Sequence, residues 1–221
     1  MQTKYEETYS TKKCLAENEM IFQRFLKLCK GEPVLEIASG YGDPFTCFIS
    51  AHVSKDITGL DIDVEMLESN RWLSERVYGS LSKFPVKIAK KEFAAVMNLF
   101  GVYGSREDVF EMLLDSWSVL KVGGDLIIVA FGKGRKDTSF AKDLLARWGL
   151  YPEYTVDGMK TLAKSTGFDV QECFGFGSTL FEMLSFLPTK WFSRMFNNRV
   201  LDHVNIPKIR NQYIFLWAKK P

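Results

Sequence analysis

The feature that most constrains the fold is the stretch VLEIASGYGDP, Val34 to Pro44. A short branched-apolar run passes straight into a turn with glycine at positions 40 and 42. Val34–Ser39 reads as a buried strand. PFTCFISAHV, after the glycines, reads as a helix with Pro44 in its first turn, where a missing N–H costs nothing. A strand that feeds a helix through a tight turn is the opening unit of a doubly wound α/β sheet.

The rest of the chain repeats this alternation. Ile21, Phe25 and Leu28 predict a helix over 16–30 ahead of the first strand. DITGLDI is a second strand, after which Asp63 can cap a helix VEMLESNRWLSERV. VKIA is predicted as the third strand and FAAVMNLFGV as the fourth. Ser105 and Asp108 have capping-box spacing for a helix whose core face is Val109, Leu113, Trp117 and Leu120, expected to stop at Gly123–Gly124. DLIIVAF then has the near-continuous apolar character of a strand buried on both faces. DGMKTLAKSTGF reads as a helix capped by Asp157 and ended by Gly167. The last strands, DVQECFGFG and QYIFLWAKK, lack an ordinary crossover helix between them, which predicts a reversed strand at the sheet edge. The expected organisation is a single domain over 1–221, with a helical cap at 1–31 and an insertion at 178–210 between the last two strands.

Composition bounds the partners. The chain has 29 basic and 27 acidic residues, so its net charge does not argue for nucleic acid. The C-terminal segment is locally basic, through Lys190, Arg194, Arg199 and their neighbours, and reads as a solvated face or as a contact for an anionic substrate or lipid surface. The cysteines form no C-x-x-C pair and the two histidines, His52 and His203, lie far apart, so no metal site is expected. Reduced thiols and a polar N-terminus suit a cytoplasmic protein, and no apolar run approaches the ~20 residues of a transmembrane span.

Ligands of open parallel sheets settle beyond the carboxyl ends of the strands, where chain order reverses. There Gly40 and Gly42 let the backbone come close to a ligand, and Asp61 at the end of the second strand can accept both hydroxyls of a ribose. Glu36, just before the turn, suits a cofactor with a positively charged end. A dinucleotide is disfavoured: GYGDPF carries Phe45 where the third fingerprint glycine belongs, and Asp43 faces the position of a pyrophosphate.

Taken together, VLEIASGYG, GLDIDVEML, VLKVGGDLIIVAF, LAKSTGFDVQECFGFG and QYIFLWAKK resemble the ordered motifs of the class I S-adenosylmethionine-dependent methyltransferases. The resemblance implies an α/β doubly wound, mostly parallel sheet of seven strands in the order 3-2-1-4-5-7-6, strand 7 antiparallel, with helices on both faces. It implies that S-adenosylmethionine is the cofactor. Glu36 would hold its methionine end, while Ala38, Ser39, Gly40 and Gly42 line the turn and Asp61 binds the ribose. Ile62 and Met66 would contact the adenine, Asn98 and Leu99 would close the pocket, and Tyr9 or Tyr5 would fold over the cofactor. Two departures stand out. VKIAKKEFAAV leaves almost no loop after the third strand, with Glu92 its only acid, and Phe93 is followed by alanine where the family often has aspartate.

For catalysis, Tyr103 beyond the fourth strand would face the transferred methyl, and His203 is the candidate base within the C-terminal segment, with catalysis by proximity alone left open. The apolar run Leu180–Phe196 reads as a lid over the acceptor site, a peripheral membrane contact, or a surface joining two subunits, which leaves monomer and homodimer open. The expected activity is methyl transfer to a small-molecule acceptor that is apolar or lipid- or saccharide-linked. The rival readings are a non-catalytic relative with a degenerate cofactor site, a nicotinamide-dependent oxidoreductase, and a cofactor-retaining enzyme of different chemistry such as a cyclase.

Overall fold

The computed structural model describes residues 12–28, 30–79, 88, 92–102, 105–132, 154–176 and 213–221. Along them run helix α1 (Lys12–Phe25), strand β1 (Val34–Ile37), α2 (Phe45–His52), β2 (Ile57–Asp61), α3 (Val64–Ser69) and β3 (Glu75–Tyr78). There follow β4 (Phe93–Leu99), α4 (Arg106–Val119), β5 (Leu120–Phe131), α5 (Val156–Ser165), β6 (Asp169–Phe176) and β7 (Tyr213–Lys219). The strands make one seven-stranded sheet in the order β3-β2-β1-β4-β5-β7-β6. β1 to β5 pair in parallel, and β7 runs antiparallel to both β5 and β6. Chain order reverses between β1 and β4, which opens a crevice at their carboxyl ends.

All residues of β1, β2 and β4 are buried, as a parallel sheet covered on both faces requires. Alternate residues divide between two cores. Leu35, Ile37, Val96 and Ile128 pack with Val109 and Leu113 of α4 and Leu162 of α5 on one face. Val34, Met97, Ile127 and Val129 pack with Ile21 and Phe25 of α1 and Ile49 of α2 on the other. α1 is also tied electrostatically. Arg24, 8% exposed, pairs with Glu172 of β6 at 2.9 Å, donates to the Met20 carbonyl, and lies over the rings of Phe174 and Phe215. Glu172→Gln keeps the shape but removes the charge opposite a buried guanidinium. It should lower stability by about 2 kcal/mol in urea unfolding, without changing the slope of the transition.

Several local expectations are corrected. The helix predicted over VEMLESNRWLSERV ends at Ser69, and its last residues, Glu75–Val77, belong to strand β3. Asn70 leaves the helical region at ψ 90, and its side-chain oxygen accepts from the Trp72 N–H. Arg76 then donates to the Leu67 and Asn70 carbonyls, closing the helix from outside while its own backbone pairs with β2. Apolar spacing at Leu67, Leu73 and Val77 suits either state, and the open edge of β2 decides it. The third strand is therefore Glu75–Tyr78 rather than VKIA, most of which lies outside the described residues, and fourteen positions of sequence separate β3 from β4 where almost no loop is expected.

Gly123–Gly124 does not end α4. That helix stops at Val119, and β5 starts at Leu120, with the two glycines inside it at a register shift against β4. Thr155, not Asp157, caps α5, its hydroxyl accepting from the Gly158 N–H at 3.0 Å. α1 covers Lys12–Phe25 rather than 16–30. The caps at Asp63 and Ser105 form as predicted. Among the described residues no helix is long and apolar enough to cross a membrane, no cluster of metal-ligating side chains occurs, and Cys47 and Cys173 are free thiols.

Candidate cofactor site

Parallel pairing sets Glu36 opposite Gly59 and Ile37 opposite Leu60, so Glu36 and Asp61 reach the carboxyl ends of neighbouring strands at the crevice. The turn between β1 and α2 lies over them. Asp61, 9% exposed, organises this turn: one carboxylate oxygen accepts from the Gly40 N–H at 2.9 Å and the other from the Asp63 N–H at 2.9 Å. A carboxylate offers about four acceptor positions. With one bond to each oxygen, one position on each remains for a pair of neighbouring hydroxyls.

The turn holds unusual backbone. Ala38 (φ 57) and Phe100 (φ 65) are left-handed without being glycine, and they follow the ends of β1 and β4 on either side of the crevice. Ala38 fits because Gly101 faces it: a Cβ on Gly101 would collide with the Ala38 methyl. Gly42 (φ 85) lies so close to Asn70 that any Cβ there would run into the Asn70 amide.

Glu36 is buried, and burial pushes its carboxyl up to about 8, with the Asp61 charge adding to the rise and the Thr46 hydroxyl opposing it. Thr46, on the first turn of α2, donates to Glu36 Oε2 at 2.6 Å. Asn70, wholly buried, directs its amide nitrogen at Thr46 Oγ1 and at the Ser39 carbonyl, each at 3.4 Å.

The structure brings Glu36, Ala38, Ser39, Gly40, Gly42 and Asp61 together around the turn. Two side chains point elsewhere. The Ser39 hydroxyl is buried under β2, 2.8 Å from where a Cβ on Gly59 would lie, and has no hydrogen-bond partner among the described residues. The Asn98 amide braces the end of β4, accepting from the Gly101 N–H at 3.0 Å and donating to the Gly101 carbonyl and to Met112 Sδ. Contact of either residue with a ligand would come through the backbone. Ile62 follows Asp61 with 65% of its surface exposed, and Met66 on α3 is half-buried. Leu99 is buried at the end of β4. Tyr5, Tyr9, Tyr103, His203 and the segment Leu180–Phe196 lie outside the described residues. His52, at the end of α2, packs on the Phe48 ring.

Sequence reasoning missed Thr46, Asn70 and Gly101, whose contacts span ten to thirty-one positions or more and follow no periodicity. It also missed an aromatic series at the same end of the sheet. Phe100 packs against Phe45, Phe131 and Tyr213, and Tyr213 against Phe176, with ring centroids 5.3–6.1 Å apart.

Strand order and crevice define the class I methyltransferase fold, and solved structures agree. A S-adenosylmethionine-dependent methyltransferase from Archaeoglobus fulgidus matches with TM-score 0.66 at 18% identity, covering 98% of each chain. Phosphoethanolamine N-methyltransferase 2 of Haemonchus contortus, solved with S-adenosyl-L-methionine, matches with TM-score 0.63 at 16% identity over 93% of this chain and 52% of its own. The [4+2]-cyclase SpnF matches with TM-score 0.62 at 15% identity, over 94% of this chain and 82% of its own. No protein-family model and no curated protein matches the sequence.

Proposed function

We propose that this protein is an S-adenosylmethionine-dependent methyltransferase acting on a small-molecule acceptor. The observation that carries the reading is Asp61: a buried carboxylate locked by two backbone N–H groups, with one acceptor position left on each oxygen. The residues present fit the cofactor. Asp61 takes the ribose hydroxyls, exposed Ile62 offers an apolar face to the adenine, the turn at Ala38–Gly42 admits a close backbone approach, and Glu36 lies beneath for the ammonium.

The bound cofactor supplies an electrophilic methyl on a sulfonium, whose displacement leaves a neutral thioether. The chain's own contribution is alignment and exclusion of water. His52 packs on the Phe48 ring at the end of α2, so Tyr103 and His203 are the proposed groups for contact with the methyl and for proton removal. The aromatic series Phe45, Phe100, Phe131 and Tyr213 supports an apolar acceptor, with the insertion at 178–210 as its cover.

Equilibrium dialysis with labelled S-adenosylmethionine tests the reading. Binding below about 1 mM is expected, and no binding at that concentration would overturn it. Binding without methyl release to any acceptor, together with turnover of a polyene, would favour a cyclase, the chemistry that the similarly folded SpnF is named for.

A further inference from the structure

Between α3 and β3 the chain leaves its helix at Asn70, and the buried amide of that residue reaches back under the cofactor turn. Its orientation is fixed by its neighbours. Trp72 N–H donates to Asn70 Oδ1 at 3.3 Å, so Nδ2 must face Thr46 Oγ1 and the Ser39 carbonyl, both acceptors to it. Thr46 Oγ1 accepts from the Asn70 amide and donates its one proton to Glu36 Oε2 at 2.6 Å, the only direction open toward an ionised carboxylate. Three hydrogen bonds thus run one way, from the Trp72 backbone through Asn70 and Thr46 to the Glu36 carboxyl.

We propose that Thr46 and Asn70 are positioning residues for the cationic end of the cofactor, forming a one-way hydrogen-bond chain that ends on Glu36 and holds its carboxylate as an aligned acceptor for an ammonium group. This rests on the reading of the crevice as an S-adenosylmethionine site.

The need for such a chain follows from the surroundings of Glu36. Burial pushes its carboxyl up to about 8, and Asp61 of β2, the charged group that acts on it among the described residues, pushes in the same direction. A neutral carboxyl attracts an ammonium poorly. The opposing influence is the Thr46 hydroxyl, because a hydrogen bond donated to the charged form favours that form. Asn70 adds the other half of the device. The same amide that orients Thr46 fills the space beside Gly42 and holds the Ser39 carbonyl, so the shape of the turn and the charge beneath it depend on one side chain.

Thr46→Val is the decisive variant, since it keeps the volume of a fully buried side chain and removes only the hydroxyl. Thr46→Ser restores the hydroxyl on a smaller side chain. Carbon-13 NMR of the Glu36 carboxyl, without ligand, should show the titration midpoint of Thr46→Val raised by roughly one pH unit or more, and that of Thr46→Ser close to the parent. Calorimetry with S-adenosylhomocysteine at pH 7 should show affinity reduced about tenfold in Thr46→Val and recovered in Thr46→Ser. Should valine disturb the fold, Thr46→Ala carries the same comparison. An unchanged midpoint in the hydroxyl-free variant overturns the chain. A shifted midpoint with unchanged affinity overturns its role in binding. A parent protein that binds no cofactor, with the midpoint shift still present, overturns the reading of the site while leaving the chain to Glu36 intact.

Discussion

Asp61→Ala should weaken S-adenosylmethionine binding by about a thousandfold in calorimetry while the far-ultraviolet circular dichroism stays that of the parent. Two hydrogen bonds to a charged acceptor contribute roughly 1.5–3 kcal/mol each, and losing both amounts to about 4 kcal/mol, or a thousandfold. The variant acts twice on one site. It removes the free acceptor positions proposed for the ribose, and it releases the Gly40 N–H, so the turn loses the bond that holds it over the strand ends. The fold should persist, because Gly40 is only half-buried and water can take the freed N–H. The strand itself is held by β1 and β3 on either side. Unchanged affinity in a folded variant would remove Asp61 from the site and the proposed function with it.

Gly101→Ala should lower stability by about 3 kcal/mol in urea unfolding, and adding Ala38→Gly should recover most of the loss. The argument is steric. The two residues face each other across the crevice at the ends of β4 and β1, and the space between them holds one methyl group, not two. The protein places that methyl on Ala38, where it accepts a left-handed backbone at φ 57 at a cost of roughly 1–2 kcal/mol. A second methyl at Gly101 must push apart two strands packed at crystal-like density, and overpacking of this kind costs about 1–3 kcal/mol. Asn98 makes yielding harder, because its amide holds both the N–H and the carbonyl of Gly101. In the double variant the methyl has simply changed sides, and the left-handed position is glycine. The coupling between the two substitutions should therefore be large, about 2 kcal/mol, whereas distant sites add independently. A double variant no more stable than Gly101→Ala alone would show that the strain lies elsewhere.

Much of this site was legible in the sequence for a physical reason. A buried parallel strand needs a continuous apolar run, a tight turn needs glycine, and a carboxylate that closes an apolar strand breaks the run visibly, so Val34–Gly42 and Asp61 declare themselves locally. The helix caps at Asp63 and Ser105 are local as well, since each side chain bonds a backbone N–H three positions on. Where local preference was ambiguous, the reading failed. Glu75–Tyr78 has spacing compatible with a helix, and it is a strand because β2 presents an unpaired edge that Arg76 and its neighbours can join. The glycines at 123 and 124 look like a helix stop, yet they lie within β5, where a register shift against β4 absorbs them.

Amino-acid order alone settled the alternation of strands and helices apart from β3, the position of the glycine turn and the acid that faces it, because each depends on neighbours within a few residues. The tertiary structure alone decided which side chains serve that turn. Ser39 and Asn98 turn inward although their positions suggested the crevice, and Thr46, Asn70 and Gly101 gain their roles only when separate strands and helices close around one buried carboxyl. Packing brings together residues whose partners no local pattern can name, and it is there that the charge of Glu36 is set.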